Sequence, residues 1–490
     1  MKIKNISDTQ FEKIFLSSLI FLPVLIISWN LDNDFWFLIS HGREVVTSGI
    51  PHIEPLTIHE NFDFVMQQWL FSTIVWDLYS KYGEIAIIIF FTVLSVLLGV
   101  LLSKFSYICS NKKIKTSSLV SLVSFFCICC FFIVTRPQVF TYIFIVIELL
   151  SLELYARTEK FLYLGVLPVI SVLQINMHAS MWGLLFVFAL PYLVNSFTFE
   201  LWSLKSEGYK KIPLFVALIA MFACGFMNPY GVKAMTYVVS SYGQELLDNT
   251  INEMATISIK EVPGLLFFAI LFLSLMVFRC LKKQKIELRY ELLFYGTAVL
   301  TLMSQKSFVF FLIGCIPLFS VTCQIFEGKI VVLNSNKKRT CILKKVLPIY
   351  IAFIIICGLN IKISKYSYED SLPQSYKAIE YLTKNVADKK NEKIYTSYES
   401  GGYAEFKGFK VYMDARAEVF LKNNNHQEDV FEEYIKMQFG KIHYNEVLNK
   451  YNFSYLIIDS EDILYVYLND DENYELIYED DNSKIYKPKV

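Results

Sequence analysis

Asp32-Asn33-Asp34-Phe35-Trp36, Gly49-Ile50-Pro51-His52-Ile53-Glu54-Pro55 and Gln67-Gln68-Trp69 punctuate a polar segment running from Leu31 to Tyr82. This segment separates the first two long apolar runs of the chain and is more than 50 residues long. Its first carboxylates stand where an apolar helix would leave a bilayer. Acidic groups at a lipid boundary cost free energy unless partnered, so their presence there marks a candidate site. Solvated loop residues at a helix end are the competing reading for Asp32 and Asp34.

Outward from that segment the chain is apolar. Hydrophobic residues make up 54% and charged residues 19%, and the apolar ones fall in long blocks. Since a span needs roughly 20 mostly apolar residues, eleven transmembrane helices are predicted. They cover about 14–29, 84–103, 117–134, 139–156, 161–176, 180–197, 212–228, 262–279, 290–303, 307–325 and 346–361. Ser28-Trp29-Asn30 offers no small-residue cleavage signal, so the first is read as an uncleaved helix rather than a signal peptide. With the N-terminus inside, every inner loop is basic (Lys112, Lys113 and Lys115; Lys282, Lys283 and Lys285; Lys337, Lys338 and Arg339), while the outer turns are sparse in Lys and Arg. The expected location is the plasma membrane, multi-pass, with a cytoplasmic N-terminus and the C-terminal segment outside.

The domains predicted are a transmembrane part over 1–362, with its large first external loop at 31–82, and an extracytoplasmic α/β domain over 363–490. That tail holds 24 acidic residues against 16 Lys and Arg, and none of the ten cysteines. Pro373–Leu382 reads as a helix; Lys393–Tyr395, Phe409–Met413 and Tyr455–Ile458 read as strands. Gly401-Gly402-Tyr403 reads as a turn into a strand. Asp414-x-Arg416-x-Glu418, at period two, would set three charges on one strand face: a surface ion-pair cluster, an acceptor site or a lid. The cysteines read as apolar filler. No phosphate-cradling glycine loop and no metal-type cysteine spacing is present.

On this topology Arg136-Pro137-Gln138, Asn176-Met177-His178, Asn228-Pro229-Tyr230-Gly231, Glu253 and Gln305-Lys306 all fall in outer turns or loops, and all six histidines (His41, His52, His59, His178, His426 and His443) lie on the outer side. Polar groups from separate turns at one bilayer face can converge on one cavity. Each also has a plainer reading: Arg136 and Lys306 as headgroup anchors, His178 and Tyr230 as turn residues, Glu54 as a surface carboxylate.

These motifs, with Gly42, Gln68-Trp69-Leu70 and the tail's Gly401-Gly402-Tyr403 and Asp414-Ala415-Arg416-Ala417-Glu418, resemble those of the GT-C glycosyltransferases, in particular a group of bacterial polytopic proteins. The resemblance spans most of the chain. Where it leads one to expect an arginine pair before the tenth span, Gln305-Lys306 stands. It implies sugar transfer from a polyprenyl-phosphate donor to a glycan, lipid or protein acceptor at the outer membrane face. By the same resemblance Asp34 is the base, with Asp32 or Glu54 as helper. Arg136, His178 and Lys306 are the phosphate ligands, with Asn176 and Tyr230 beside the substrate. Asp32 and Asp34 are the ligands of a Mg²⁺ or Mn²⁺ ion, if one is used. No nucleic-acid partner is expected. The rival readings are a transporter or flippase of lipid-linked sugar and a non-catalytic envelope scaffold. Polar groups gathered at one face, rather than at the midplane, speak against transport.

Overall fold

The computed structural model describes residues 15, 17–19, 21–24, 31–201, 204–237, 255–280, 286–333 and 372–489. Half of the predicted first span, all of the eleventh, Glu253 and the 362/363 boundary lie outside the described residues. Three described helices are long and apolar enough to cross a membrane: Trp69–Cys109, Ile114–Phe131 and Gln138–Thr158. The bent pair Gln305–Gly314 and Ile316–Ile325 makes a fourth if it is one span, and shorter apolar helices cover Phe161–Met177, Ala179–Asn195, Lys211–Cys224 and Val262–Ser274. Ile85, Val93, Val216 and Ile219 leave their apolar side chains exposed on these helices. That is how a helix meets lipid, with its backbone polar groups satisfied internally. The chain is a membrane protein.

Two compact units emerge, one of residues 1–28, 89–227 and 248–365, the other of 29–88, 228–247 and 366–490. In the first, Gln138–Thr158 packs on Phe161–Met177 and Ala179–Asn195, Leu288–Met303 on Ala179–Asn195, and Ile114–Phe131 on Ile316–Leu333. Small residues let these helices close up, as when Ser106 and Ser320 bond hydroxyl to hydroxyl at 2.8 Å. At one end three short strands pair: β1 (Phe199–Leu201) antiparallel to β2 (Leu204–Ser206), and β2 parallel to β3 (Ile286–Glu287). Beside them Glu153, fully buried, receives Arg289 Nε at 2.9 Å, Arg157 Nε at 2.6 Å, Tyr290 OH at 2.6 Å and Tyr192 OH at 3.2 Å. So many donors make a buried carboxylate tolerable.

The second unit is built on a five-stranded sheet ordered β5-β4-β6-β8-β7. Parallel β4 (Lys393–Tyr395), β5 (Lys410–Val411) and β6 (Tyr455–Asp459) are followed by the antiparallel hairpin β7 (Tyr474–Glu479) and β8 (Ser483–Pro488). Beyond β5 the segment 56–59 continues the pairing: Thr57 bridges Val411, and Ile58 N donates to Val411 O at 2.9 Å. The predicted helix at 373–382 is found at Tyr376–Asn385. The predicted strand 409–413 shortens to two residues. Two expectations fail. Gly401-Gly402-Tyr403 opens a helix, Gly401–Phe406, rather than a strand. Asp414, Arg416 and Glu418 share no strand face, since Asp414 and Arg416 lie in a loop and Glu418 in a 3₁₀ turn, Ala417–Phe420.

Candidate functional site

Asp32 and Asp34 open the helix Phe35–Ser48. Asp32 Oδ1 accepts the Asp34 N–H at 3.1 Å and Asp32 O accepts Phe35 N–H at 2.9 Å, a side-chain turn of the kind that starts helices. Asp34 O takes Leu38 N–H at 3.3 Å, but the Asp34 side chain makes no capping bond. Both carboxylates are half-buried. Between them Asn33 Nδ2 donates to Glu399 O at 2.7 Å and to Glu399 Oε2 at 2.9 Å, tying the turn to the tail.

The same helix is packed between two neighbours, and glycines allow both contacts. A Cβ on Gly42 would sit 2.0 Å from Ser72 O. On Gly401 it would sit 1.9 Å from Met413 O, and on Gly402 3.2 Å from Phe37 N. Arg43 caps the helix Gly401–Phe406, donating through Nη2 to Glu405 O and through Nη1 to Phe406 O, each at 2.9 Å. Trp36 packs edge-on to Tyr403, ring centroids 5.0 Å apart.

Beneath lies a buried charge cluster. Arg416 Nε donates to Asp414 Oδ1 and Oδ2 at 2.9 Å. Nη1 donates to Glu54 Oε2 at 2.8 Å and to His41 Nε2 at 2.7 Å, while Nη2 reaches Glu405 Oε1 at 3.2 Å and also bonds Asp414 Oδ2. Arg416, Asp414, Glu405, Glu54 and His41 are all under one-tenth exposed. Burial drives His41 well below its ordinary value and the Arg416 charge adds to this, so the ring is neutral, with its proton on Nδ1. Burial, then Asp414, pushes Glu405 well above the carboxylate range. Burial also raises Glu54, against the pull of Arg416. For Asp414 the guanidinium outweighs burial and holds it low. The surface ion-pair reading of this motif is therefore corrected: Asp414 and Arg416 are interior. Glu54, read from sequence as an external-loop carboxylate, is interior as well.

Glu418 is half-buried and accepts Gln67 Nε2 at 3.2 Å and Tyr237 OH at 3.3 Å. Tyr230 OH donates to Pro51 O at 2.9 Å, and Asn228 Oδ1 takes Tyr230 N–H at 2.8 Å in a side-chain turn.

The other sequence-selected residues belong to the first unit. His178 is buried between Phe161–Met177 and Ala179–Asn195. Gln174 Nε2 donates to Thr141 Oγ1 at 3.0 Å, and the same hydroxyl lies in hydrogen-bond contact with His178 Nδ1 at 3.0 Å. Burial, and after it the Lys306 charge, pushes His178 down to about 3, which places Lys306 in its electrostatic reach. Asn176 Nδ2 donates to Val172 O and Met227 O, both at 2.8 Å. Arg136 and Lys306 are half-buried. Sequence reasoning missed Arg43, His41 and the Glu153 cluster. Glu153 with Arg157 at i,i+4 near the end of an apolar run was its available signal.

No protein-family model matches the chain, and no curated protein matches it in sequence. Solved structures do match. An oligosaccharyltransferase from Archaeoglobus fulgidus, tethered to an acceptor peptide, aligns over 99% of this chain and 74% of its own at 10% identity, TM-score 0.57. ArnT from Cupriavidus metallidurans aligns over 98% of both chains at 11% identity, TM-score 0.55. The mycobacterial arabinofuranosyltransferase AftD aligns over 99% of this chain and 42% of its own at 10% identity, TM-score 0.52. The chain has the GT-C fold. Other structures show the archaeal oligosaccharyltransferase AglB with dolichol-phosphate and ArnT with undecaprenyl phosphate. The A. fulgidus enzyme has also been crystallised with zinc and sulfate. Among the described residues no group of three or more His, Cys, Asp or Glu is placed to hold a metal.

Proposed function

We propose that the protein moves a sugar from a polyprenyl-phosphate-linked donor to an envelope acceptor at the non-cytoplasmic face of the plasma membrane, through a bundle of eleven spans. The observation that carries this reading is the GT-C fold over nearly the whole chain, with Asp34 at the half-buried start of a helix locked in place by its neighbours. Asp34 takes the proton of an acceptor hydroxyl as its oxygen bonds to the anomeric carbon. The bond from that carbon to the phosphate oxygen breaks, and the polyprenyl phosphate leaves with its extra charge. Arg136, Lys306 and His178 hold that phosphate. Asn176 and Tyr230 shape the turns beside it. Glu54, paired with Arg416, supports the loop rather than touching substrate. Asp32 and Asp34 supply two hard oxygen donors, so they would hold Mg²⁺ or Mn²⁺ together with phosphate oxygens, and the ion would neutralise phosphate charge. The test is sugar transfer by purified protein in nanodiscs with a panel of polyprenyl-phosphate sugars and an envelope extract. Asp34→Ala should lower turnover by at least about 100-fold. Folded protein that turns over no donor, with Mg²⁺ or Mn²⁺ added, would favour a scaffold.

A further inference from the structure

The acidic half of the tail carries a column of three stacked rings. His443 stacks on Tyr444 with centroids 4.6 Å apart at 26°, and Tyr444 on Tyr467 at 5.7 Å and 17°. His443 is exposed, Tyr467 is 52% exposed and its neighbour Val466 69%. Aromatic rings held parallel and left open to water cost free energy, and patches of this kind mark binding surfaces. The column has a polar margin. Asp471 Oδ2 accepts Tyr444 OH at 2.8 Å, and its Oδ1 accepts the Asn473 N–H at 2.9 Å and Nδ2 at 2.8 Å.

The charge around it selects the partner. Asp470, Asp471, Glu472, Glu475, Asp480 and Asp481 lie in a stretch with no lysine or arginine between Lys450 and Lys484. Those two cations are engaged, Lys450 with Glu428 and Glu433 at 2.8 Å each, and Lys484 over the Tyr465 ring at 4.2 Å. The other cations nearby in sequence are Lys441, two residues before His443, Lys487, which stands opposite Glu475 in the sheet and over the Tyr455 ring at 5.8 Å, and Lys489; the acidic residues outnumber them. Such a surface repels phosphates and anionic lipid headgroups. A sugar ring free of acidic groups suits it: its C–H face covers an aromatic ring while its hydroxyls bond to carboxylate and amide oxygens.

We infer that the His443–Tyr444–Tyr467 column is a binding platform for glycan chains that carry no acidic groups. The inference concerns binding alone, so it stands apart from sugar transfer and is measured without a donor. Full-length protein in zwitterionic nanodiscs is titrated by calorimetry with maltoheptaose, cellohexaose, chitohexaose and an oligogalacturonate. At least one neutral oligosaccharide should bind and the acidic one should not. Tyr467→Ala should weaken binding roughly tenfold, while Tyr467→Phe, which keeps the ring, should retain it. The inference is overturned if no neutral oligosaccharide binds, if the acidic one binds as well, or if Tyr467→Ala binds like the parent. A spin label at Val466 buried among lipid headgroups would overturn it too, by showing that the rings rest on the bilayer.

Discussion

At the scale of single residues, Arg416 carries the most. It pairs with Asp414, Glu54 and Glu405 at once in a buried setting. Arg416→Met should destabilise the protein by about 3–5 kcal/mol, because it leaves buried carboxylates without a partner. Arg416→Lys should recover little, since an ammonium cannot make the forked contacts of a guanidinium. Thermal unfolding in detergent compares the two. His59 gives a pH signature. It is buried, donates from Nε2 to Tyr412 O at 2.8 Å, and stacks on Phe62. Burial pushes it down to about 4, against that hydrogen bond, which favours the charged ring. The unfolded chain therefore takes up the proton first as pH falls. Stability from this group is complete above roughly pH 6.5 and drains away towards pH 4, by up to about 3 kcal/mol. Denaturant titrations across that range should show the slope, and His59→Gln should flatten it.

At the scale of elements, packing of the helix Gly401–Phe406 depends on absent side chains, with Gly402 against Phe37 and Gly401 against the Met413–Asp414 backbone. Gly401→Ala would put a methyl 1.9 Å from Met413 O, and backbone cannot yield as a flexible side chain can. We expect this substitution to abolish the folded state, whereas Gly165→Ala, which meets nothing within 4 Å, should leave it intact. Protease resistance of the two variants distinguishes them. Long apolar runs were legible in the sequence because each is a local pattern; the predicted spans at 117–134 and 139–156 match helices Ile114–Phe131 and Gln138–Thr158 within a few residues. Gly401-Gly402-Tyr403 misled because its glycines answer to close packing, Gly402 on the distant helix Phe35–Ser48 and Gly401 on the Met413–Asp414 backbone, not to a local turn. Asp414-x-Arg416 misled for a like reason: its period-two spacing mimics a strand, while its partners lie more than 360 residues away in sequence. The hairpin β7–β8 and the helix Phe35–Ser48 were not foreseen. Acidic residues crowd the first, and a polar context hides the amphipathic face of the second.

At the scale of the whole molecule, the second unit draws on three separated stretches of chain, 29–88, 228–247 and 366–490. Residues 366–490 made alone would lack Glu54 and His41 for Arg416 and the 56–59 segment beside β5. We expect that fragment to give poorly dispersed amide NMR spectra, and co-production with 29–88 to improve them. Asp32 and Asp34 could be picked out from sequence by their place beside an apolar run, and Glu54 by its motif, yet the partners of Glu54 could not, because no local pattern encodes a contact closed across the intervening membrane helices. This architecture also sets a clock on biosynthesis. Glu54 leaves the ribosome 362 residues ahead of Arg416, so at about 5–20 residues per second it waits roughly 20–70 s for its counter-ion. Throughout that interval the early loop is an unfinished surface, and any chain that stops short of residue 416 stays recognisable to quality-control proteases as incomplete.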